Sequence, residues 1–268
     1  MPNRYWQTLT TCDFAALDAA TAVALLPVAA IEQHGPHLPL ATDALINEAI
    51  VAETLKRAAD DVDVLVLPPL AVGSSLEHMS FAGTLSLEPE TLLAVWRQIG
   101  ASVARAGVRK LVILNTHGGQ TGLVDIAALE LRARQRMLVV RANYSSFGLP
   151  AGLFADDALR GDIHGGLIET SLMLHIHPGL VRHSEIQDFA GLPAELARRN
   201  AWLGVEKPVG LGWLSEDLNP SGASGNAAAA DAARGAALLE HIANALAELL
   251  NEVAATPLAV IDDSARAR

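Results

Sequence analysis

The sequence predicts an α/β fold, a mainly parallel sheet with helices on both faces. Three observations carry this. Apolar runs of strand length alternate with segments of helical period along most of the 268 residues. The runs are nearly uninterrupted rather than polar at every second position, which is the pattern of strands buried on both faces. Residues with metal-binding chemistry leave the ends of two of these runs, where open α/β sheets place their sites.

Taken in order, Ala22 to Ile31 reads as the first strand. Ala44 to Ala59 reads as a helix, with Thr42 or Asp43 as its N-cap. Val62 to Leu67 is a second strand, closed by Pro68-Pro69. Glu88 to Ala106 is a helix with Pro89 in its first turn and Gly107 after its end. Lys110 to Asn115 is the third strand, Thr121 to Gln135 a helix and Met137 to Ala142 the fourth strand. Leu167 to His177 is a helix stopped by Pro178-Gly179. Ala227 to Ala254 is a long Ala-rich helix. The stretches 145–164 and 204–225 are loop-like, and irregular segments of that length are often lids or site walls. Residues 1–255 are expected to form one domain. Residues 256–268, with Asp262, Asp263, Arg266 and Arg268, read as a frayed tail.

Bulk properties exclude several classes. The chain is 51% hydrophobic and 18% charged, ample for a core. A formal net charge of −11 disfavours a nucleic-acid partner, which needs a basic stripe. No run of 18 apolar residues is present to span a membrane. Cys12 is the only cysteine, and no leader pattern is evident, so a cytoplasmic location is the expectation.

The chemistry concentrates in three segments. Glu32 and His34 leave the first strand, with Asp43 nine residues later. His117 follows the third strand and precedes Gly118-Gly119. His164 precedes Gly165-Gly166 and Glu169. Carboxylates and imidazoles are the ligand types of borderline divalent metals. Each residue also has an ordinary reading. Asp43 could merely cap a helix, His34 could be a loop histidine, and Glu169 is favoured in a first turn by the dipole alone. Glu32 is harder to dismiss, because a carboxylate directly after a buried run is costly unless paired or coordinated. The two glycines could simply make a strand-to-helix turn or cradle a phosphate, but no GxxxxGK[ST] or complete GxGxxG accompanies them. His37 and His78 are further candidates. Ser74, Ser75 and Glu77 lie in a loop on the same presumed face. His175, His177 and His183 read as structural or exposed. A serine hydrolase is poorly supported, since no GxSxG elbow occurs.

Four segments then bring the chain close to a known family: LPVAAIEQHGPHLPLATD (26–43), EHMSFAGTLSL (77–87), LVILNTHGG (111–119) and DIHGGLIETSLML (162–174). In that order they resemble the creatininase (creatinine amidohydrolase) family. The resemblance implies a three-layer αβα sandwich, commonly a homohexamer, with two divalent metal ions (zinc, manganese or iron). Carried over by position, Glu32 and His117 would hold one metal, His34 would belong to the other, and Asp43 would bridge them. His164 would be the catalytic histidine. Creatinine amidohydrolase itself has a carboxylate where this chain has Gly119, and Glu169 is the expected substitute. The aromatic walls for creatinine are incomplete: Tyr144 stands at one position, and Arg160 and Gly161 at the other.

The expected activity is hydrolysis of a non-peptide C–N bond, in a cyclic amide or formamide, by a hydroxide held between metals ~3.5–4 Å apart. His164 would donate a proton to the departing nitrogen. Gly118, Gly119, His78 and Tyr144 would contact the small-molecule amide. Creatinine hydrolysis proper, trimming of a modified peptide and a non-catalytic metal-binding subunit are the alternatives. A phosphoesterase would need Arg or Lys converging on phosphate, and the motif loops carry almost none.

Overall fold

The computed structural model describes residues 4–59, 62–155, 159 and 161–261. In chain order the elements are α1 (Thr11–Ala15), β1 (Val23–Val28), α2 (Thr42–Leu55), β2 (Val64–Val66), α3 (Pro89–Arg105), β3 (Lys110–Asn115), α4 (Thr121–Gln135), β4 (Leu138–Asn143) and α5 (Leu167–Ile176). There follow β5 (Asp188–Phe189), α6 (Leu192–Arg199), α7 (Ser215–Leu218), β6 (Gly225–Asn226) and α8 (Ala232–Ala255). Strands β1 to β4 form one parallel sheet in the order β2-β1-β3-β4. β5 and β6 pair antiparallel as a separate ribbon.

Alternate residues of the central strands feed two apolar cores, as the pleat requires. Val23, Leu25, Val112 and Leu114 pack with α2, α5 and α8 on one face. Ala24, Leu26, Leu111 and Ile113 pack with α3 and α4 on the other. That is the three-layer αβα arrangement.

The strand order places a topological switch point between β1 and β3, because the chain leaves β1 towards β2 on one side and returns to β3 on the other. Ligand sites lie beyond the carboxyl ends of strands at such a point. Asn47, on α2, fastens that crevice: its Nδ2 donates to the carbonyls of Val28 and Leu114 and to Thr116 Oγ1 at 3.1–3.2 Å. Thr116 Oγ1 in turn donates to the Asp43 carbonyl at 2.9 Å.

Three boundaries differ from the sequence reading. Asp43 does not cap α2. The N-cap position is Ala41, without a side-chain cap, and Asp43 stands inside the first turn with its carboxylate free for other partners. That helix ends at Leu55 rather than Ala59. α8 begins at Ala232 because Asp231 caps it, accepting from the Arg234 amide at 2.8 Å, while Ala227–Ala229 form a 3-10 turn. The proposed tail residues Asp262, Asp263, Arg266 and Arg268 lie outside the described residues, as does Arg160. No helix of the described residues is long and apolar enough to cross a membrane.

α5 and α8 approach closely at Gly235, where an added Cβ would lie 1.9 Å from the Ser171 carbonyl oxygen. Gly235→Ala is therefore expected to lower unfolding stability by about 1–3 kcal/mol through overpacking. Urea titration of the two proteins checks this, and an unchanged midpoint would show that the helices can separate freely.

Candidate metal centre

Glu32, His34, Asp43 and His117 converge at the switch point, all of them buried. Each arrives for a local reason. Glu32 and His34 follow β1, and Glu32 is held by its own amide donating to the Leu40 carbonyl at 2.9 Å. Asp43 comes from the first turn of α2. His117 follows β3 in a turn fixed by Asn115: Asn115 Oδ1 accepts from the His117 amide at 3.1 Å, and Asn115 Nδ2 donates to the His117 carbonyl at 2.7 Å.

Asp43 lies between the two imidazoles. Its Oδ1 is 3.3 Å from His34 Nε2, and its Oδ2 is 3.4 Å from His117 Nδ1. Glu32 Oε1 stands 3.2 Å from the same His117 nitrogen. On the far side, Glu169 Oε2 is 3.8 Å from His34 Nε2 and accepts from the Gly165 amide at 2.6 Å.

The hydrogen bonds fix which ring nitrogens face inward. His34 Nδ1 donates to the Glu32 carbonyl at 3.0 Å and His117 Nε2 to the Ser74 carbonyl at 2.9 Å. That turns His34 Nε2 and His117 Nδ1 towards the carboxylates. An imidazole oriented by a backbone carbonyl on its outer nitrogen is the usual arrangement around a metal.

Both Glu32 oxygens, His34 Nε2 and Asp43 Oδ2 are buried without a hydrogen-bond partner. Orphaned buried acceptors cost several kcal/mol in sum unless something positive meets them. Two groups fit divalent ions: Glu32, Glu77 and His117 in one, and His34, Asp43 and Glu169 in the other, with ligand atoms within 4.8 Å of each other in each group. Glu32, His34 and His164 form a third such combination. The donor set of carboxylates and imidazoles suits zinc or manganese.

Without metal, protons play the cation's part. Burial alone would depress His34 and His117, but the carboxylates outweigh it, chiefly Asp43 for His34 and Glu32 for His117, and both are pushed up to about 10. Burial raises Glu169 to about 7. The sign follows from linkage. A histidine raised on folding contributes stability that is whole below about 6.5 and is lost as pH climbs through about 10. The chelated protein is expected to show a falling Tm across that window. The metal-loaded protein should lack the decline, since binding requires neutral imidazole and expels those protons. Thermal scans of both forms from pH 6 to 10 check it, and parallel curves would refute it.

His164 sits beside this cluster, with its ring 4.2 Å from those of His34 and His78. Its backbone is clamped to Ser224 in both directions, at 3.1 and 2.7 Å. Its Nε2 donates to the Gln33 carbonyl at 2.5 Å, leaving Nδ1 3.7 Å from Glu32 Oε1. Burial, reinforced by the charges of His34 and His78, holds it well below the usual histidine range.

His78 is an inner member rather than a rim residue. Its Nδ1 accepts from Gln33 Nε2 at 2.7 Å and Ser215 Oγ at 2.5 Å, and its Nε2 is 3.3 Å from Glu32 Oε1. His37 instead bonds Thr170 Oγ1 at 2.9 Å and stacks on Phe189. Gly118 and Gly119 are exposed in the turn into α4. Tyr144 begins the turn after β4 and packs against the core of the α2 face. Burial, with Glu169 and Asp43 nearby, pushes its phenol well above its ordinary value. His175, His177 and His183 are exposed.

Three residues carry more than the sequence reading gave them. Trp213, in the 204–225 loop, stands edge-on to His78 at 6.3 Å. Asp162 caps α5 through the Leu167 and Ile168 amides. Glu77 reaches the Glu32 and His117 side of the site, where Glu169 does not.

A family model described as creatininase, creatinine amidohydrolase, matches residues 7–250. The mycofactocin precursor peptide peptidase of Mycobacterium ulcerans is 35% identical over 197 residues, 70% of this chain and 72% of that one. The creatinine amidohydrolase of Pseudomonas putida is 36% identical over 186 residues, 63% of this chain and 70% of that one. A solved manganese creatininase superposes with a TM-score of 0.76 at 27% identity, over 95% of this chain and all of that one.

Proposed function

The chain belongs to the creatininase family of hydrolases, and from that premise we propose that it is a metal-dependent amidohydrolase cleaving a non-peptide C–N bond. The observation that supports this best is Asp43, with one oxygen towards His34 and the other towards His117 amid orphaned buried carboxylate atoms. In this reading Glu32 and His117 would hold one ion and His34 and Glu169 the other, with Asp43 available to both. Bound there, two divalent cations would supply a water of lowered pKa and polarise the amide carbonyl.

The chain's own groups do the rest. His164 begins neutral with its Nδ1 lone pair facing the centre, so it first accepts the proton of the attacking water. It then delivers that proton to the departing nitrogen, which would otherwise leave as an unstable anion. The Gln33 carbonyl keeps the ring in the one tautomer that can do this. Backbone amides of the exposed Gly118-Gly119 turn would hold a substrate oxygen. His78, Trp213 and Tyr144 form the walls.

Metal analysis and substrate screening test the reading together. The purified protein should carry close to two equivalents, chelation should abolish hydrolysis of a panel of cyclic amides and formamides, and Zn²⁺ or Mn²⁺ should restore it. Full activity after exhaustive demetallation would overturn it. A second reading, hydrolysis of a bond in a small peptide, is favoured by the resemblance to the mycofactocin precursor peptide peptidase. Short peptides belong in the same panel, and turnover of peptides alone would select it.

A further inference from the structure

Resting on that metal-centre reading, we infer that Glu77 is a fourth ligand of the ion assigned to Glu32, His117 and the shared Asp43, entering through the space that Gly119 leaves open. Glu77 Oε1 lies along the His117 ring, 3.6 Å from the outer nitrogen Nε2, and its carboxylate belongs with Glu32 and His117 in one metal-sized group. A Cβ built on Gly119 would fall 1.7 Å from Glu77 Oε1 and 2.7 Å from its Cδ. A side chain at 119 would therefore push the Glu77 head group out of its present place, and its Cβ would also stand 2.8 Å from His117 Nε2. A side chain at 119 and the Glu77 head group compete for one volume, and this chain fills it from the 74–78 loop.

The geometry separates Glu77 from Glu169. Glu169 groups with His34 and Asp43, on the opposite side of the Asp43 carboxylate, and does not substitute for a side chain at 119. Glu32 brings the second, independent observation: both of its oxygens are buried and unpartnered beside His117. With the shared Asp43, three carboxylates and one imidazole then surround one position, a set that suits a hard-to-borderline divalent ion.

The loop is built to hold that position. Ser74 accepts from His117 Nε2 through its carbonyl at 2.9 Å, and its amide donates to Gln120 Oε1 at 3.4 Å. The Ser75 amide donates to Ser86 Oγ at 2.9 Å. One short segment thus orients the His117 ring and presents Glu77 to the same ion. The next residue, His78, contacts Glu32.

The test is metal stoichiometry by mass spectrometry, with stepwise Mn²⁺ affinity by calorimetry and the Mn²⁺ spin-resonance spectrum. Wild-type protein should bind two ions and show a coupled dinuclear signal. Glu77→Gln, which keeps the shape, should retain one ion, weaken the other by about 100-fold or more and give a mononuclear signal; even outer partners of metal ligands cost 10–100-fold. The double variant Glu77→Ala with Gly119→Glu should regain the second ion. Two ions bound by Glu77→Gln with unchanged affinity would overturn the assignment, as would a double variant no better than Glu77→Ala alone. A wild-type protein that binds no metal would overturn the metal-centre reading itself, a result distinct from either.

Discussion

Asp43→Ala is expected to empty the centre of both metals and to remove hydrolysis with them. Among the described residues Asp43 is the one carboxylate within 3.4 Å of both inward imidazole nitrogens. Deleting a shared ligand weakens two sites at once, so the loss should exceed the ~10–100-fold that an outer partner costs and reach about 10³-fold or more in affinity. Activity should fall with occupancy. The chelated variant should still fold, because Asp43 makes no cap bond in α2 and its backbone carbonyl, which accepts from Thr116, remains. What it should lose is thermal stabilisation by added metal, since ligand binding stabilises only a site that exists. Metal content, Zn²⁺-dependent Tm and turnover measured together check the result. Two bound ions in Asp43→Ala would show that the other carboxylates suffice, and Asp43 would be reduced to a first-turn acid.

The comparison of sequence with structure turns on what each signal depends on. The central strands were legible because β1 and β3 are buried on both faces and leave an unbroken apolar run. The placement of Glu32, His34 and His117 was legible for the same reason, since residues just past parallel strands share one edge of the sheet. Asp43 was ambiguous locally, a helix cap or a ligand. Its position before an apolar helix is an N-cap signature, and only the folded backbone shows that the helix starts at Thr42 and leaves the carboxylate free. Glu77 was not legible in its role, because the loop from β2 to α3 carries no periodicity and its contact with the turn after β3 is long-range. The same applies to Trp213, whose loop could be marked as a site wall but whose register against His78 is set by the bond from Ser215.

His164→Ala is expected to lower kcat by ~10²–10⁴ while the metal content stays at the wild-type level. The two halves of that expectation rest on different facts. The rate loss follows from proton transfer: a neutral imidazole fixed by the Gln33 carbonyl has a single free nitrogen, and no other buried base faces the centre in the same state. His78 has its Nδ1 engaged by Gln33 and Ser215, while His34 and His117 direct their inner nitrogens at carboxylates. The retained metal follows from distance. His164 Nδ1 is 3.7 Å from Glu32 Oε1, longer than the 3.2–3.4 Å that separate His34 and His117 from their carboxylates. Yet Glu32, His34 and His164 do lie close enough to form a metal-sized group, so occupancy decides between the roles. A variant that loses both rate and one equivalent of metal makes His164 a ligand. A variant that keeps two equivalents and loses rate, with substrates bearing a better leaving group recovering most of it, places the defect at protonation of the departing nitrogen.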